Sequence, residues 1–250
     1  LYAIGLGVSQ DFTVARAWYE KAAAQGDANA QFNLGALYHT GQGVPQDYAK
    51  AHQWWEQAAA QGSAEAQFNL GVLYAKGRGV PQDYTQARLW YEKSAAQGYA
   101  NAQINLGSLY ATGQGVPQDY AKARQWLEQA AAQGNAQGQN NLGYLYVEGN
   151  GVPKDEKKGV EWIQKAADQG DANGQDSLGE MYRDGRGVEQ SHVRAYMWFN
   201  LSVEQYLRQG RKATETAQRR DAIAKQLTPA QMAEAQRLAK QCQTRQFKGC

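Results

Sequence analysis

The chain has 250 residues, of which 42% are hydrophobic and 20% charged, and its formal net charge is +2. A charge this small does not by itself indicate binding to nucleic acid, and no apolar run approaches the ~18 residues of a membrane-spanning helix. The charges are unevenly divided, because residues 1–206 hold 16 basic and 21 acidic side chains whereas residues 207–250 hold 10 and 3.

A period of 36 residues runs through most of the chain. Tryptophan recurs at this spacing, at Trp18, Trp54, Trp90, Trp126, Trp162 and Trp198. A Leu-Gly pair keeps the same step from Leu34-Gly35 to Leu178-Gly179, and a Gly-x-Gly-Val turn keeps it from Gly5 to Gly185. A fixed period of this size is typical of a repeat array, in which neighbouring units bury a shared core.

The period divides residues 1–206 into repeats. Residues 1–8 align with residues 37–44, so we expect the chain to start inside a unit, and upstream sequence could hold a secretion signal. The predicted array is then a half unit at 1–26 followed by five complete units, at 27–62, 63–98, 99–134, 135–170 and 171–206.

Each unit is predicted to form two short helices joined by a turn. In the unit 27–62, Asp27 is a predicted N-cap, and apolar residues at helical spacing follow at Ala30, Leu34, Leu37 and Tyr38. Gly41 and Gly43 end this helix, and Asp47 is placed to cap a second one that ends at Gly62. Neither helix can bury its apolar face alone, so the hairpins must stack.

The glycine of the Leu-Gly pair lies inside a helix, where it costs about 1 kcal/mol relative to alanine. We expect a packing reason, and we predict that the tryptophans in register lie against these glycines, because each Trp shares a helix face with small alanines. A row of Trp rings could instead form a stacking platform for sugars or bases. Core packing is the favoured interpretation.

The repeated pattern, exemplified by Ala30…Leu34-Gly35…Tyr38…Gly41-Gln42-Gly43-Val44…Asp47…Ala51…Trp54…Ala58-Ala59…Gly62, resembles the Sel-one-like repeat family, a relative of the tetratricopeptide repeats. The resemblance implies an all-α, right-handed superhelix of helix-turn-helix repeats that acts as a scaffold or adaptor for other proteins. Bacterial members that resemble this chain are often exported and take part in envelope assembly or host contact.

The array ends in the fifth unit, where Glu189 replaces the proline and Tyr206 replaces the terminal glycine. Residues 207–250 are predicted to form a C-terminal cap, with one amphipathic helix over 207–227 and a second that starts at Thr228-Pro229. The positive charge of this segment favours a solvated cap, the alternative being electrostatic docking of the basic tail on an anionic surface. Cys242 and Cys250, the only cysteines, are expected to form a disulfide in an oxidising compartment, the alternative being two free thiols.

No catalytic or metal-binding constellation is found in the sequence. The histidines His39, His52 and His192 occupy non-equivalent positions, without the spacing of a zinc site. No serine lies in a nucleophile motif, and the Gly-x-Gly-Val turns follow helices and lack the residues of a phosphate loop. We therefore predict a protein that is not an enzyme and uses no cofactor. An envelope hydrolase acting on cell-wall or β-lactam substrates is the alternative.

One stripe of the first helix varies between units while its surroundings repeat. It comprises the third, sixth, tenth and thirteenth residues of each unit, which share a helical face. In tetratricopeptide-like folds, the first helices line the concave side, so the resemblance implies a groove that is apolar at its start and charged at its C-terminal end. We predict that a peptide or protein partner binds there, and not nucleic acid.

An asparagine row runs beside the variable stripe, with Ser177 in the fifth unit. An asparagine can pair with the backbone of an extended peptide, or it can tie one hairpin to the next, and the sequence leaves both roles open. A glutamine row (Gln31, Gln67, Gln103, Gln139 and Gln175) does not vary, which favours a structural role. The predicted partner-binding residues are Phe32, Asn33, Phe68, Asn69, Val72, Ile104, Asn105, Asn141 and Tyr144.

Overall fold

The computed structural model describes residues 2–5, 7 and 9–250. Leu1, Leu6 and Val8, which belong to the predicted half unit 1–26, lie outside the described residues. The described part contains thirteen α-helices and no β-strand. In chain order they are α1 Phe12–Ala24, α2 Ala28–Thr40, α3 Tyr48–Ala60, α4 Ala64–Lys76, α5 Tyr84–Ala96, α6 Ala100–Thr112, α7 Tyr120–Ala132, α8 Ala136–Glu148, α9 Glu156–Ala167, α10 Ala172–Asp184, α11 His192–Arg208, α12 Thr214–Ala224 and α13 Pro229–Thr244.

The chain consists of two compact units, residues 1–119 and residues 120–250, called unit 1 and unit 2 below. In unit 1, the pairs α2–α3 and α4–α5 form hairpins. In unit 2, α8–α9 and α10–α11 do so, and α12 and α13 pack against α11. The prediction of an all-α fold made of repeated helix-turn-helix hairpins is confirmed.

Short polar side chains start the helices at the predicted positions. The carboxylate of Asp27 accepts a hydrogen bond from the backbone N–H of Ala30 at 2.6 Å, and that of Asp47 accepts one from Lys50 at 2.9 Å. Gly41 ends α2 in the left-handed region, with φ of 75°. Each cap satisfies a backbone group that the helix leaves unpaired, so the repeat fixes its own helix boundaries.

The glycine of the Leu-Gly pair does accommodate a large side chain, but the tryptophans in register do not provide it. A Cβ placed on Gly35 would lie 2.5 Å from the ring of Trp55, and one on Gly71 would lie 2.5 Å from the ring of Tyr91. The equivalent residues Ile163 and Phe199 cover the corresponding glycines of unit 2. The predicted contact was therefore wrong by one residue.

The physical reason is that adjacent helix residues point about 100° apart. Trp55, at 2% exposure, points into the hairpin, where its indole N–H donates to the carbonyl of Phe32 at 3.0 Å. The preceding Trp54 lies beside it and is only half-buried, as are Trp90, Trp126 and Trp162. Trp18 is 60% exposed, and of the row only Trp198 is fully buried.

The second glycine of each turn brings consecutive hairpins into backbone contact. Gly79 has φ of 72°, and a Cβ there would lie 2.6 Å from the carbonyl carbon of Tyr48, at the start of α3. Gly151 approaches the backbone of Tyr120 in the same way within unit 2. Glycine is needed at these positions both for its conformation and for the missing side chain.

Three of the invariant glutamines link one hairpin to the next, in keeping with the predicted structural role, whereas Gln175 is fully buried and its side-chain amide has no hydrogen bond to any described residue. Buried Gln67 donates from Nε2 to the carbonyl of Ala59 at 3.3 Å, and its Oε1 accepts a bond from Gln97 Nε2 at 2.8 Å. The same pair of bonds recurs around Gln31 and around Gln139. Because a buried amide without partners destabilises a fold, the paired amides of Gln31, Gln67 and Gln139 stabilise the stacking of the hairpins.

The C-terminal segment differs from the prediction in one helix. The helix predicted over 207–227 is shorter, because α11 continues to Arg208 and α12 begins only at Thr214. Gly210, with φ of 66°, separates them. The predicted start of the last helix is confirmed, because the Thr228 hydroxyl accepts from the backbone of Gln231 and the Gln231 side chain accepts from the backbone of Thr228.

A disulfide joins Cys242, near the end of α13, to Cys250, as predicted. It holds the last residues of the chain on the core of unit 2. Between the two cysteines the chain turns through Gln246 and Phe247, both with positive φ. The ring of Phe247 then packs beside Gly170 and the core cluster that contains Trp198. The tail is therefore part of the folded unit.

Candidate partner-binding surface

In unit 1, the predicted site residues on α2 and α4 are Phe32, Asn33, Phe68, Asn69 and Val72, and we call them the variable face. All five are half-buried. The two aromatic residues pack at their base, where Phe32 lies against the core cluster around Trp55 and the ring centroid of Phe68 is 5.9 Å from that of Tyr91 and 5.2 Å from that of Tyr99. The variable face thus presents apolar surface beside amide groups.

Ile104, on α6, is the predicted residue that does not reach the surface. It is 2% exposed and belongs to the hydrophobic core. An isoleucine at this depth contributes to folding through burial of its side chain, and it offers no area to a partner. Its neighbour Ser108 on the same stripe is exposed. We therefore leave Ile104 out of the candidate surface.

The asparagine row does not have one role. Asn33 donates from Nδ2 to the backbone carbonyl of Asn29 in its own helix at 2.8 Å. The Asn105 side chain is near enough to Tyr91 of the preceding hairpin to lower the pKa of its hydroxyl, which burial nevertheless raises to about 12. Among the residues that the structure describes, Asn69 has no hydrogen-bond partner. Asn105 therefore faces the preceding hairpin, whereas the side chain of Asn69 has no internal partner of this kind.

In unit 2, the other two predicted residues lie on α8 in a more polar setting. The Tyr144 hydroxyl donates to Glu180 Oε2 at 2.8 Å, and burial raises the pKa of this tyrosine well above its usual value. Asn141 lines a cavity of about 290 Å³ between α8 and α10, which we call the polar pocket. Its walls are Gln137, Asn140, Asn141, Asn173, Asp176 and Ser177.

Charged side chains lie beside the polar pocket, where the sequence predicts the charged C-terminal end of the groove. Arg219 of α12 reaches back to α10, where its Nη1 lies 2.5 Å from Asp176 Oδ2 and 3.5 Å from Glu180 Oε1. Burial raises the pKa of Asp176, and the Arg219 charge partly opposes that rise. One guanidinium therefore faces two partly buried carboxylates.

Asn140 and Asp176 stand out in the structure, although they were not among the predicted site residues. They occupy the sixth position of successive 36-residue repeats, where the three preceding repeats carry Phe32, Phe68 and Ile104. The change from an apolar to a polar residue at this position of the repeat was the signal in the sequence. Asn140 is only 6% exposed, and its Oδ1 has no hydrogen bond.

The described residues contain no group of three or more His, Cys, Asp or Glu side chains arranged to hold a metal ion. Within that same part of the chain, every helix is too short or too polar to cross a bilayer. What the two surfaces do offer is apolar area with amides in unit 1, and amides with a carboxylate in unit 2. Such groups recognise peptides by burial, backbone pairing and charge.

The family model described as Sel1 repeat matches the chain six times, over residues 1–27, 28–63, 64–99, 100–135, 136–171 and 172–206. No curated protein sequence matches it. Among solved structures, a Sel1 repeat protein from Oxalobacter formigenes is 37% identical, with a TM-score of 0.66. That alignment covers 73% of this chain and 75% of the other.

Two further structures are similar. A protective antigen of uropathogenic Escherichia coli strains, which displays an SLR fold, is 32% identical with a TM-score of 0.57. The alignment covers 98% of this chain but only 59% of the antigen. A Klebsiella pneumoniae structure described as a sel1 repeat protein is 27% identical with a TM-score of 0.54, over 84% of this chain and 99% of that one.

Proposed function

Because this chain belongs to the Sel1 repeat family, whose members generally mediate protein–protein interactions, we propose that it is a non-enzymatic scaffold that binds a protein or peptide partner. The observation that carries the proposal is the contrast between two sets of residues in the same helices. The repeated residues pair with one another inside the array. The variable face combines stripe positions that differ along the array (Phe32, Phe68 and Val72) with two asparagines of the adjacent row (Asn33 and Asn69).

The variable face has the chemistry of a peptide-binding surface. Phe68 and Val72 expose part of their apolar area on α4, and the Asn69 amide between them carries a donor and an acceptor without a partner among the described residues. An extended peptide could bury side chains on the apolar positions while its backbone pairs with Asn69.

We also propose that the protein is exported, in keeping with its resemblance to bacterial envelope or host-contact proteins. The disulfide between Cys242 and Cys250 supports this, because disulfides persist in oxidising compartments and are rare in the cytosol. The similarity to a protective antigen of Escherichia coli supports a location that host immunity can reach.

Alanine at Asn69 and serine at Val72 test the proposal. A partner captured from native cells by crosslinked co-purification should bind each variant at least tenfold more weakly, equivalent to about 1.4 kcal/mol of binding free energy. The free energy of unfolding should change by no more than about 0.5 kcal/mol, because these surface side chains are not part of the frame. Calorimetric titration of the purified pair and urea denaturation measure the two quantities.

The matched control is Gln57→Ala, at an exposed position of α3, which should change neither quantity. Phe68 and Asn105 are poor choices for this test, because both contact Tyr91 and their replacement also affects folding. If Asn69→Ala and Val72→Ser bind the partner like the parent protein, the variable face is not the binding surface.

A further inference from the structure

The polar pocket of unit 2 has an unsatisfied buried group. Asn140 is 6% exposed and lines the pocket, and its side-chain Oδ1 has no hydrogen-bond partner. A buried acceptor in this state destabilises the fold relative to one that is paired. Native proteins pair nearly all such groups, so an exception needs an explanation. A ligand that donates a hydrogen bond to this oxygen is one such explanation.

The neighbouring polar groups do not supply the missing donor. The Ser177 hydroxyl donates to the backbone carbonyl of Asn173 at 2.8 Å. The Asn173 Oδ1 already accepts the Tyr206 hydroxyl at 2.6 Å. These bonds fix the side chains of Asn173 and Ser177, and no described neighbour donates to the buried Asn140 Oδ1.

The charge of the pocket selects the kind of donor. Asp176 is the one charged residue among those that line it. Its Oδ2 pairs with Arg219 outside the pocket, whereas its Oδ1 has no hydrogen bond of normal geometry, although the Thr216 side chain is near enough to lower its pKa. Arg219 also faces Glu180 and Glu215, so this single cation is shared among three carboxylates.

We propose that the polar pocket receives a cationic side chain, arginine or lysine, of the bound peptide, with Asp176 as its counter-ion and Asn140 as a hydrogen-bond acceptor. A guanidinium suits the pocket well, because it carries five donors in a plane and can reach two acceptors at once. This inference rests on the proposed function, since it names the chemistry that the partner presents to unit 2.

The test uses the whole chain, labelled with ¹⁵N, at pH 7. The probes are acetylated and amidated five-residue alanine peptides whose central residue is arginine, lysine, citrulline or glutamate. The arginine and lysine peptides should shift the side-chain amide signals of Asn140 and Asn141 in a saturable way. The citrulline peptide, which keeps the shape and loses the charge, and the glutamate peptide should not shift them.

Two variants change the affinity in opposite directions. Asp176→Asn should weaken binding of the arginine peptide at least tenfold, whereas Arg219→Gln should strengthen it several-fold, because the internal competitor for Asp176 is removed. A gain in affinity cannot come from misfolding. Asp221→Asn is the matched control, since this exposed aspartate pairs only with the adjacent Arg220 among the described contacts, and it should leave the affinity unchanged.

The inference is overturned if the arginine peptide shifts no amide of the pocket, if citrulline binds equally well, or if Arg219→Gln weakens binding. These results are separable from the test of the proposed function. Failure of the peptide titration, while Asn69→Ala still weakens partner binding at least tenfold, removes only the cation pocket. Binding of the arginine peptide, while Asn69→Ala leaves partner binding intact, removes only the variable face.

Discussion

Replacing Trp55 by alanine should lower the free energy of unfolding by about 3–5 kcal/mol, the usual cost of truncating a buried large aromatic residue. The ring is 2% exposed and fills the space above Gly35. Its loss leaves a cavity in the hairpin and removes the hydrogen bond from the indole to the Phe32 carbonyl. Urea denaturation followed by circular dichroism measures the change.

The neighbouring Trp54→Ala is the matched control for this prediction. Trp54 belongs to the row in strict 36-residue register, but it is half-buried and packs against the cluster of Ala23, Ala30 and Leu34. Because the hydrophobic contribution scales with the area removed from water, its truncation should cost roughly half as much. A larger loss at Trp54 than at Trp55 would show that the register tryptophans, not their neighbours, hold the hairpins together.

Substituting Gly79 by alanine should destabilise the protein by about 2–5 kcal/mol. A residue with a side chain pays about 1–2 kcal/mol to adopt the left-handed conformation, and Gly79 has φ of 72°. The new methyl group would also lie 2.6 Å from the carbonyl carbon of Tyr48. Backbone cannot move aside as a flexible side chain does, so overpacking adds about 1–3 kcal/mol.

Gly98→Ala separates the two causes. Gly98 has φ of 84°, and a Cβ there would meet nothing within 4 Å. It should therefore show only the conformational cost of about 1–2 kcal/mol. Thermal and urea unfolding of the two variants measure the difference. Equal losses would mean that the close approach between hairpins contributes nothing to stability.

The sequence predicted the frame of the fold well because its signals are local. Caps such as Asp27 and Asp47, and stops such as Gly41, act within a few residues, and a six-fold repeat shows each of them several times. The row of invariant glutamines was likewise recognised as structural because variation is absent where side chains pair inside the array.

The sequence could not decide between adjacent positions of one helix. Trp54 and Trp55 are both aromatic, and their different burial depends on how the second helix is rotated against Gly35, which is a tertiary contact. For the same reason Ile104 was expected at the surface and is buried. The prediction of one helix over 207–227 was wrong at its start, because α11 extends past the end of the repeat array to Arg208.

The site was predictable in part. Five of the predicted residues lie on α2 and α4 and are half-buried, as a surface position requires, and their binding of a partner stays a prediction. The open acceptor of Asn140 was not predictable, because it depends on which neighbouring groups have already used their donors. Hydrogen-bond satisfaction of this kind is a property of the assembled hairpins.

The most direct test of the account is a map of where a partner can be crosslinked. The photoreactive amino acid p-benzoylphenylalanine is placed in native cells at position 72, in place of half-buried Val72, or at position 57, in place of exposed Gln57. If the variable face binds a partner, irradiation should give a crosslinked species of defined mass from position 72 and none from position 57. A species formed from position 57 alone, or equally from both positions, would contradict it.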